Sequence, residues 1–464
     1  MKKIICFICI AAAAVFPFAA CAGGISDPLK LDIPVYAADG PRMDIAAYHA
    51  PSPSFSEQKD FDDIAALGLN IIVPEAHAYN FSENPAGKIV LLDRMQQAGL
   101  QVILQDKDLQ HNLLPASPNT WNTKNLHHYI THPAVYGVDI RDEPHAAEIP
   151  GLRLLHEKWN AEVEAGNIPK DKVFFVNLAL EMDIGKQDNL DKYMEEVRPP
   201  LLSYDFYAPH HAAVGDPQSD LVSKTGFFAF IDQAANTARR YSQEWGREVP
   251  LNVIMLGAGH RVGGHIRYKN IDQTDLRWQI GAAMSFGVKF ISFYNYSHIT
   301  DGVFEEMLQH VLNPSTGEKT ELYYDMQAVL QELRKWDRVF MNFNRLDTAM
   351  VPGSHGRMNL MLSMTRNTLD PEELDGIKSI VSTQDAFVGA FEDADGRKGY
   401  MAYNASLPWD EKNATVTVTF DNKKYRAVQV YEKGEPVIKP VNKQTVALRL
   451  RPGESQFFIP LEKK

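Results

Sequence analysis

The chain has 464 residues, and its 59 acidic residues outnumber its 47 basic ones, which gives a formal net charge of −12 at pH 7. This acidic balance, without any basic run, argues against nucleic acid as a partner. The three cysteines, Cys6, Cys9 and Cys21, all lie near the amino terminus, so the rest of the chain excludes cysteine-based catalysis and thiolate metal sites. The length suffices for one large domain and a smaller one.

The amino terminus has the pattern of a secretory signal. Two lysines are followed by an apolar run over residues 4–20, which has the length of a signal-peptide core and is short for a membrane span. Small residues come directly before Cys21, and this arrangement resembles the lipobox of bacterial lipoproteins. The resemblance implies a signal peptide of residues 1–20, lipidation of Cys21, a tether over residues 21–41, and export to a bacterial membrane as an anchored protein, periplasmic or at the cell surface. A plain secretory signal with a chance cysteine is the alternative.

Residues 42–342 alternate short apolar runs with longer amphipathic stretches. The runs are continuously apolar, as expected for parallel strands that are buried on both faces. The eight predicted strands are 43–49, 70–74, 101–105, 135–140, 173–178, 201–206, 251–256 and 289–294. Strands that alternate with helices indicate a parallel α/β sheet, and eight such units favour a closed (β/α)8 TIM barrel. A doubly wound open sheet is the alternative, although no glycine-rich dinucleotide fingerprint follows the first run.

Helical patterns and a change of composition complete the predicted architecture. Several helices end at a glycine that leads into the next strand, as short helix–strand loops require. The predicted helices are 58–67, 86–98, 150–165, 185–197, 227–245, 272–286 and 319–336. Residues 343–464 then show short strands separated by turn residues, at 386–391, 398–404, 414–420, 427–431, 445–450 and 455–460. This pattern predicts a small antiparallel β-sandwich domain after the barrel.

Polar and aromatic side chains are dense at the ends of nearly all the predicted barrel strands, where a TIM barrel has its active site. They suit a ligand with many hydroxyl groups, because hydroxyls need directional partners and sugar faces stack on aromatic rings. The candidate substrate-binding residues are Tyr48, His49, Glu75, His77, Asp106, Asn177, Tyr204, Tyr207, His260, Tyr294 and Tyr296. The histidines lack the close, regular spacing of a zinc site, so neither a metal nor another cofactor is expected.

An acidic motif, Asp142-Glu143-Pro144, follows the fourth predicted strand. Glu143 resembles the glutamate at the end of the fourth strand in many barrel glycosidases. That resemblance implies that Glu143 is the general acid, since hydrolysis of a glycosidic bond needs a carboxylic acid to protonate the leaving oxygen. The alternative is a helix amino terminus, in which the aspartate caps and the proline opens the first turn.

The sequence leaves the identity of the second catalytic group undecided, because the seventh predicted strand ends without a carboxylate. In one hypothesis Asp142 acts as in the substrate-assisted N-acetylhexosaminidases, where an aspartate orients the 2-acetamido group of the substrate. Tyr204-Asp205 at the sixth strand end also resembles the Tyr-Asp pair that helps to hold this group in chitinase-like barrels. In the other hypothesis Asp205 or Glu75 is a direct nucleophile or general base.

Over most of its length the chain resembles Bacteroidetes-type glycoside-hydrolase-like lipoproteins that carry a β-sandwich after the barrel. The motifs at 137–144, 203–207 and 281–292 carry this resemblance. It implies cleavage of O-glycosidic bonds in oligo- or polysaccharides at the cell surface or in the periplasm. A surface glycan-binding lipoprotein without catalysis is the alternative, because a fold does not fix a function. A deacetylase or lyase on the same scaffold is a third possibility.

Overall fold

The structure, a computed structural model, describes residues 31–51, 54–74, 85–106, 109, 126–208, 217–297, 305–354, 368–408 and 412–464. The predicted signal peptide, Cys21, Glu75 and His77 lie outside the described residues. Within them, no helix has both the length and the apolar character needed to cross a bilayer.

A closed parallel barrel forms the first part of the described chain. Its strands are β1 (Asp44–Tyr48), β2 (Ile71–Val73), β3 (Gln101–Gln105), β4 (Val135–Asp142), β5 (Val173–Ala179), β6 (Leu202–Asp205), β7 (Leu251–Leu256) and β10 (Phe290–Tyr294). They follow the order β1-β10-β7-β6-β5-β4-β3-β2, and β1 closes the sheet by pairing with both β2 and β10. The predicted TIM barrel is therefore confirmed, and the open doubly wound sheet is wrong.

Helices surround the barrel and follow the predicted strand–helix alternation. They are α1 (Gln58–Leu67), α2 (Pro85–Gln97), α3 (Ile149–Glu164), α4 (Gln187–Val197), α5 (Pro217–Trp245), α6 (Gln273–Ser285), α7 (Glu321–Arg334) and the short α8 (Asp337–Phe340). Capping residues define the ends of these helices. Gly68 ends α1 in the left-handed conformation with φ 112°, which glycine adopts without steric cost. Asp272 begins α6 by accepting hydrogen bonds from the backbone N–H groups of Thr274 and Asp275, as an N-cap residue does.

The period-two geometry of the strands separates the barrel interior from the layer under the helices. On β10, Ile291 and Phe293 pack in the large core that also holds helix residues, whereas Phe290 belongs to a smaller cluster inside the barrel. Ser292 lies on the same face of β10 as Phe290, and it is buried. The interior thus contains a polar layer beneath the carboxyl ends of the strands, and this layer leads directly to the candidate site.

The second part of the chain is made of antiparallel strands. One sheet has the order β12-β14-β15-β20-β17-β18 and the other has the order β13-β16-β19. The strands are β12 (Asn344–Val351), β13 (Ile377–Ser382), β14 (Ala386–Glu392), β15 (Lys398–Asn404), β16 (Ala414–Phe420), β17 (Ala427–Glu432), β18 (Glu435–Pro440), β19 (Thr445–Leu450) and β20 (Ser455–Leu461). This agrees with the predicted β-sandwich fold, although the sequence patterns missed β12, β13 and β18.

The chain before β1 lies against the sandwich. Leu31 is buried and forms an antiparallel bridge with Lys463, and the Asp32 carboxylate pairs with Arg397 at 3.0 Å. Tyr36 donates its hydroxyl to Asp393. Leu31, Asp32 and Tyr36 of the predicted tether thus contact the sandwich, whereas Val35 between them is 93% exposed.

Aromatic stacking and an ion pair join the barrel to the sandwich. Trp336, at the end of α7, stacks on Phe457 of β20 with ring centroids 6.0 Å apart and on Tyr431 of β17 at 5.7 Å. Arg451 reaches Glu332 of α7 at 2.9 Å. Large stacked rings bury much apolar surface, so the two parts are fixed to each other by a core-like interface.

Candidate active site

Three carboxyl groups meet at the carboxyl end of the barrel, around the amide of Asn177 on β5. Asn177 Nδ2 donates to Asp142 Oδ1 of β4 and to Asp205 Oδ1 of β6, each at 3.0 Å. Glu143, directly after β4, has a side-chain hydrogen bond with Asp205. The structure therefore brings all three predicted catalytic residues, Asp142, Glu143 and Asp205, together with the predicted binding residue Asn177.

A chain of buried side-chain hydrogen bonds crosses the barrel and ends at Asn177. Ser292 Oγ donates to Asn252 Oδ1 at 2.9 Å, and Asn252 Nδ2 donates to Ser203 Oγ at 2.9 Å. Ser203 Oγ then donates to Asn177 Oδ1 at 3.1 Å. Because the side-chain carbonyl oxygen of Asn177 accepts this hydrogen bond from Ser203, the NH2 group of the same amide must face the carboxylates. Ser292, Asn252 and Ser203 were not recognised from sequence, where they look like isolated polar residues in apolar strands.

The backbone turns sharply at Glu143. Its φ of 46° lies in the left-handed region, which a residue with a Cβ adopts at a cost of about 1 kcal/mol or more. The Glu143 N–H donates to the carbonyl oxygen of Asn177 at 2.9 Å, so a β4–β5 hydrogen bond holds the turn. Next to it, Arg141 makes two hydrogen bonds to the buried carboxylate of Glu148, at 3.1 and 3.2 Å. The end of β4 is thus fixed on both sides of the acidic motif.

Burial and mutual repulsion raise the pKa values in this cluster. Asp205 is only 8% exposed, and burial, followed by the negative charges of Glu143 and Asp142, raises its pKa well above the usual range. Burial also raises the pKa of Glu143, and the charges of Asp142 and Glu181 add to the effect. Burial raises the pKa of Asp142, while the hydrogen bond from Asn177 and the charge of Arg141 oppose the rise.

Carboxylates this close cannot all be ionised at neutral pH. At least one proton therefore belongs to the Glu143–Asp205 pair. Glu143 is the solvent-exposed member and Asp205 is the buried one, so the two have different access to a bound ligand.

A fourth carboxyl, Asp139, lies on β4 below the site. It is buried, and Gln105 Nε2 of β3 donates to its Oδ2 at 3.0 Å. Burial, together with the charge of Asp142, raises the pKa of Asp139 to about 7. Sequence reasoning did not single out Asp139, because nothing in the strand pattern shows which aspartate of β4 faces inward.

An aromatic wall stands beside the carboxyl cluster. Tyr207 stacks on Tyr294 with ring centroids 5.4 Å apart and an interplanar angle of 27°. In the described part of the chain, the rings of Tyr48, His49, His260 and Tyr268 also lie within contact distance of this pair. The negative charges of Asp205 and Asp142 act on the Tyr207 hydroxyl, whose pKa burial raises, so the wall and the carboxyls belong to one site.

One buried hydroxyl of the wall, that of Tyr48, lies near the carboxyl cluster. The Tyr48 hydroxyl is buried and has no hydrogen-bond partner in the part of the chain that the structure describes. Burial raises the pKa of Tyr48, and the charges of Asp142, Asp139 and Asp205 raise it further. A buried hydroxyl of this kind costs free energy unless a partner arrives, and a sugar hydroxyl could supply that partner.

A hairpin brings Tyr268, which was not among the predicted site residues, to the aromatic wall. The hairpin comprises β8 (His260–Val262) and β9 (His265–Tyr268), and β11 (Glu305–Met307) extends it to a three-stranded sheet. Gly263 and Gly264 form its turn with φ values of 59° and 80°. A Gly-Gly pair between two short β-like segments is a hairpin signal, and it could have been recognised from the sequence.

Three of the predicted binding residues point away from the site. Asp106 is fully buried and accepts a hydrogen bond from the hydroxyl of Tyr129. Tyr204 alternates with Asp205 on β6, so its ring packs in the core under the helices. Tyr296 follows β10 and is buried in the same core, where the nearby Tyr323 of α7 acts on its hydroxyl. A side chain at a strand end can face the barrel axis or the helices, and only the register decides which.

Among the described residues, no group of three or more His, Cys, Asp or Glu side chains is arranged to hold a metal ion. The carboxyl cluster instead makes hydrogen bonds to Asn177, and Arg141 is the neighbouring cation. With these partners, the arrangement can hold, move and release a proton.

Comparison with known proteins gives the fold. No protein-family model and no curated protein matches this sequence. Among solved structures, the chain is similar to a glycoside hydrolase at 11% identity, covering 93% of this chain and 97% of that one with a TM-score of 0.50. It is also similar to a family 27 β-L-arabinopyranosidase from Geobacillus stearothermophilus, at 11% identity over 91% and 96% of the two chains, again with a TM-score of 0.50. At such low identity these likenesses show a shared fold along nearly the whole chain.

Proposed function

We propose that the protein is a glycoside hydrolase that acts on oligo- or polysaccharides. The observation that carries the proposal is the Glu143–Asp205 carboxyl pair, which Asn177 holds at the carboxyl end of a TIM barrel beside an aromatic wall. Hydrolysis of a glycosidic bond uses two carboxyl groups, one of which is an acid with a raised pKa. The solved structures with the same fold include enzymes described as glycosidases, which supports the proposal by analogy of fold.

Glu143 is the general acid in this proposal. It is the exposed member of the pair, so it can reach the leaving oxygen of a bound sugar, whereas Asp205 is buried behind it. Transfer of the proton to the leaving oxygen breaks the glycosidic bond and leaves both carboxyls ionised, until a water molecule adds its oxygen to the anomeric carbon and returns a proton to the pair. Their mutual repulsion is then offset by the positive charge that develops on the anomeric carbon, which is a charge present only near the transition state.

The second group is a protein carboxylate in this proposal, with Asp205 first and Asp142 beside it. In the substrate-assisted alternative Asp142 would orient the 2-acetamido group of the substrate, and the Tyr204-Asp205 pair would help to hold it. Tyr204 lies on the opposite face of β6, under the helices, so the tyrosine of that pair is missing from the site. This geometry favours sugars without a required acetamido group.

The test uses the dependence of rate on the leaving group. The protein would first be screened against aryl glycosides and a glycan panel that includes N-acetylglucosaminides, galactosides, glucosides and arabinosides. With a substrate in hand, Glu143→Gln should slow cleavage of natural glycans by roughly 100-fold or more. The same variant should be nearly as fast as wild type on dinitrophenyl glycosides, whose leaving group needs no proton.

The matched control is Glu181→Gln, which removes a nearby exposed carboxylate that is outside the pair. It should change the rate only a few-fold, through loss of its charge. Equal losses on both leaving groups would contradict the role of Glu143 as the acid. Binding of a glycan with no hydrolysis of any substrate would favour the alternative, a surface glycan-binding protein.

We also propose that the protein is exported and anchored through a lipid on Cys21. The small residues before Cys21 and the apolar run over residues 4–20 support this. Radiolabelled palmitate should label the wild-type protein in a bacterial host, and Cys21→Ser should abolish the label and release the protein from the membrane fraction. Labelling that persists in the Cys21→Ser variant would contradict the anchor.

A further inference from the structure

A cavity with a volume of about 420 Å³ lies at the end of the barrel opposite the carboxyl cluster. Its lining includes Leu251, the first residue of β7, and Lys289, directly before β10. Since the barrel strands are parallel, these positions mark the amino-terminal face, whereas the carboxyl pair is at the other face. The remaining lining comes from α5, the loop 246–250, residues 286–287 after α6 and the start of β12.

Positive charge dominates this cavity, although the whole chain is acidic. Its charged lining residues are Arg239, Arg247, Lys289, Arg345 and Glu248. The carboxylate of Glu248 is 61% exposed and is 3.4 Å from Lys289 Nζ, a contact that is weakly stabilising in water. Four cations line the cavity against the exposed carboxylate of Glu248 and the carboxylate of Asp347, which pairs with Arg239 at 3.1 Å, so a surplus of positive charge remains.

Two of the cations lack a close carboxylate. Arg247 donates to the carbonyl oxygens of Arg198 and Pro199, at 3.2 and 2.9 Å, and has no carboxylate partner among the described residues. Arg345 is nearly fully buried, and its Nη2 makes no hydrogen bond within the described chain. The nearest carboxylate oxygen to that atom belongs to Asp347 at 4.0 Å, which is too far for a hydrogen bond.

The other two cations have partners that leave donors unused. Lys289 Nζ donates to Asn344 Oδ1 at 2.8 Å, and an ammonium group has three donors. Arg239 donates to the backbone carbonyl of Leu346 and to Asp347 Oδ2. Neutral carbonyl and amide oxygens thus supply most of the hydrogen bonds that position these cations, and the carboxylates of Asp347 and Glu248 contact Arg239 and Lys289.

The electrostatics agree with this geometry. Burial lowers the pKa of Lys289 and of Arg247, and the charge of Arg198 adds to the effect for Arg247. Burial also lowers the pKa of Arg345 to about 10, with a further contribution from Arg239. Buried cations that destabilise one another would be relieved by a bound anion.

We infer that this cavity at the amino-terminal face of the barrel binds a small organic anion that carries a phosphate or sulfate group. Guanidinium groups match the geometry of tetrahedral oxyanions and bind them through several donors. A volume of about 420 Å³ exceeds that of an inorganic ion and falls within the range of about 300–1,000 Å³ typical of ligand pockets. The ligand therefore carries an organic part, such as one sugar ring. The inference is independent of the proposed hydrolase activity.

The test is calorimetric titration of the full chain with glucose 6-phosphate, glucose 6-sulfate, inorganic phosphate and glucose. The esters should bind more tightly than inorganic phosphate, and glucose should not bind in this cavity. Lys289→Met removes one cation while keeping the length of the side chain, and it should weaken ester binding by about ten-fold, as loss of a charge-assisted hydrogen bond does. Glu248→Gln removes the opposing charge and should strengthen binding by a few-fold.

Lys378→Met is the control, because Lys378 is an exposed lysine on β13 of the sandwich and its loss should leave binding unchanged. Comparing the affinities for glucose 6-phosphate and glucose 6-sulfate shows which oxyanion the cavity prefers. Opposite shifts in affinity for Lys289→Met and Glu248→Gln, with no shift for Lys378→Met, would establish the site. Absence of binding by both esters, or binding that neither variant changes, would overturn the inference.

Discussion

Asn177 donates its side-chain amide to Asp205 across 3.0 Å, and this hydrogen bond sets the position of the more buried carboxyl of the pair. The same amide donates to Asp142, and Ser203 fixes its orientation from behind. Asn177 is therefore a positioning residue: it acts on the proposed reaction through the carboxyls that it holds.

Asn177→Leu should lower the rate by roughly 10- to 100-fold, because hydrogen bonds to charged groups are worth about 1.5–3 kcal/mol. The hydrogen bond from Asn177 lowers the pKa of Asp205, so its loss raises that pKa. The pair then keeps its proton to higher pH, and the alkaline limb of the pH–rate profile should move to higher pH. Ser203→Ala removes only the hydrogen bond that orients the Asn177 amide, and it should shift the alkaline limb by a smaller amount. A rate loss with an unchanged pH profile would indicate a purely structural role.

Asp139→Asn should change the pH dependence of stability. The pKa of Asp139 is about 7 in the folded protein and is raised from 3.8, so the folded state holds the proton more tightly than the unfolded state. The stability from this proton is fully present below about pH 4 and is lost as pH rises to about 7, by at most roughly 4 kcal/mol. The variant stays neutral, and it should be the more stable protein at pH 8.

The measurement is chemical denaturation of wild type and Asp139→Asn at pH 5 and pH 8. The wild type should lose more stability than the variant between these two values. Asp395→Asn, at an exposed turn position of the sandwich, is the control and should follow the wild type. Parallel pH dependences for wild type and Asp139→Asn would mean that Asp139 is ionised at low pH.

Glu148→Gln should destabilise the fold by about 2 kcal/mol. The buried Glu148 carboxylate accepts two hydrogen bonds from Arg141 and one from the backbone N–H of His145, at 2.8 Å, and charge-assisted bonds of this geometry are strong. Glu157→Gln breaks the exposed Arg153–Glu157 pair on α3 and should cost only about 0.3–0.5 kcal/mol. Urea denaturation checks both values, and equal losses would show that burial of Glu148 contributes nothing.

Tyr207→Ala should weaken substrate binding more than it slows the chemical step. The Tyr207 ring stacks on Tyr294 and forms part of the wall beside the carboxyls, and an aromatic pair is worth about 0.5–1.5 kcal/mol beyond its burial. KM should rise by about ten-fold for Tyr207→Ala and stay near wild type for Tyr207→Phe, which keeps the ring. A fall in kcat with constant KM would instead place Tyr207 in the chemistry.

Much of the fold follows from the sequence alone. Buried parallel strands are continuously apolar, so all eight barrel strands were located within two residues of their observed bounds. The strands missed in the sandwich have weaker patterns. β18 contains two prolines and pairs only with β17 at the edge of its sheet, where proline costs no ladder hydrogen bond and a strand pattern is hard to recognise.

The residue types at the strand ends, including the acidic motif Asp142-Glu143 and the aspartate Asp205, can be read from the sequence alone. Which of these side chains meet depends on how the strands pair in the closed barrel. Two residues that are adjacent on a strand face opposite sides, so Asp205 enters the site and Tyr204 does not. The chain of bonds from Ser292 to Asn177 joins four strands far apart in sequence, and only the closed barrel brings them into contact.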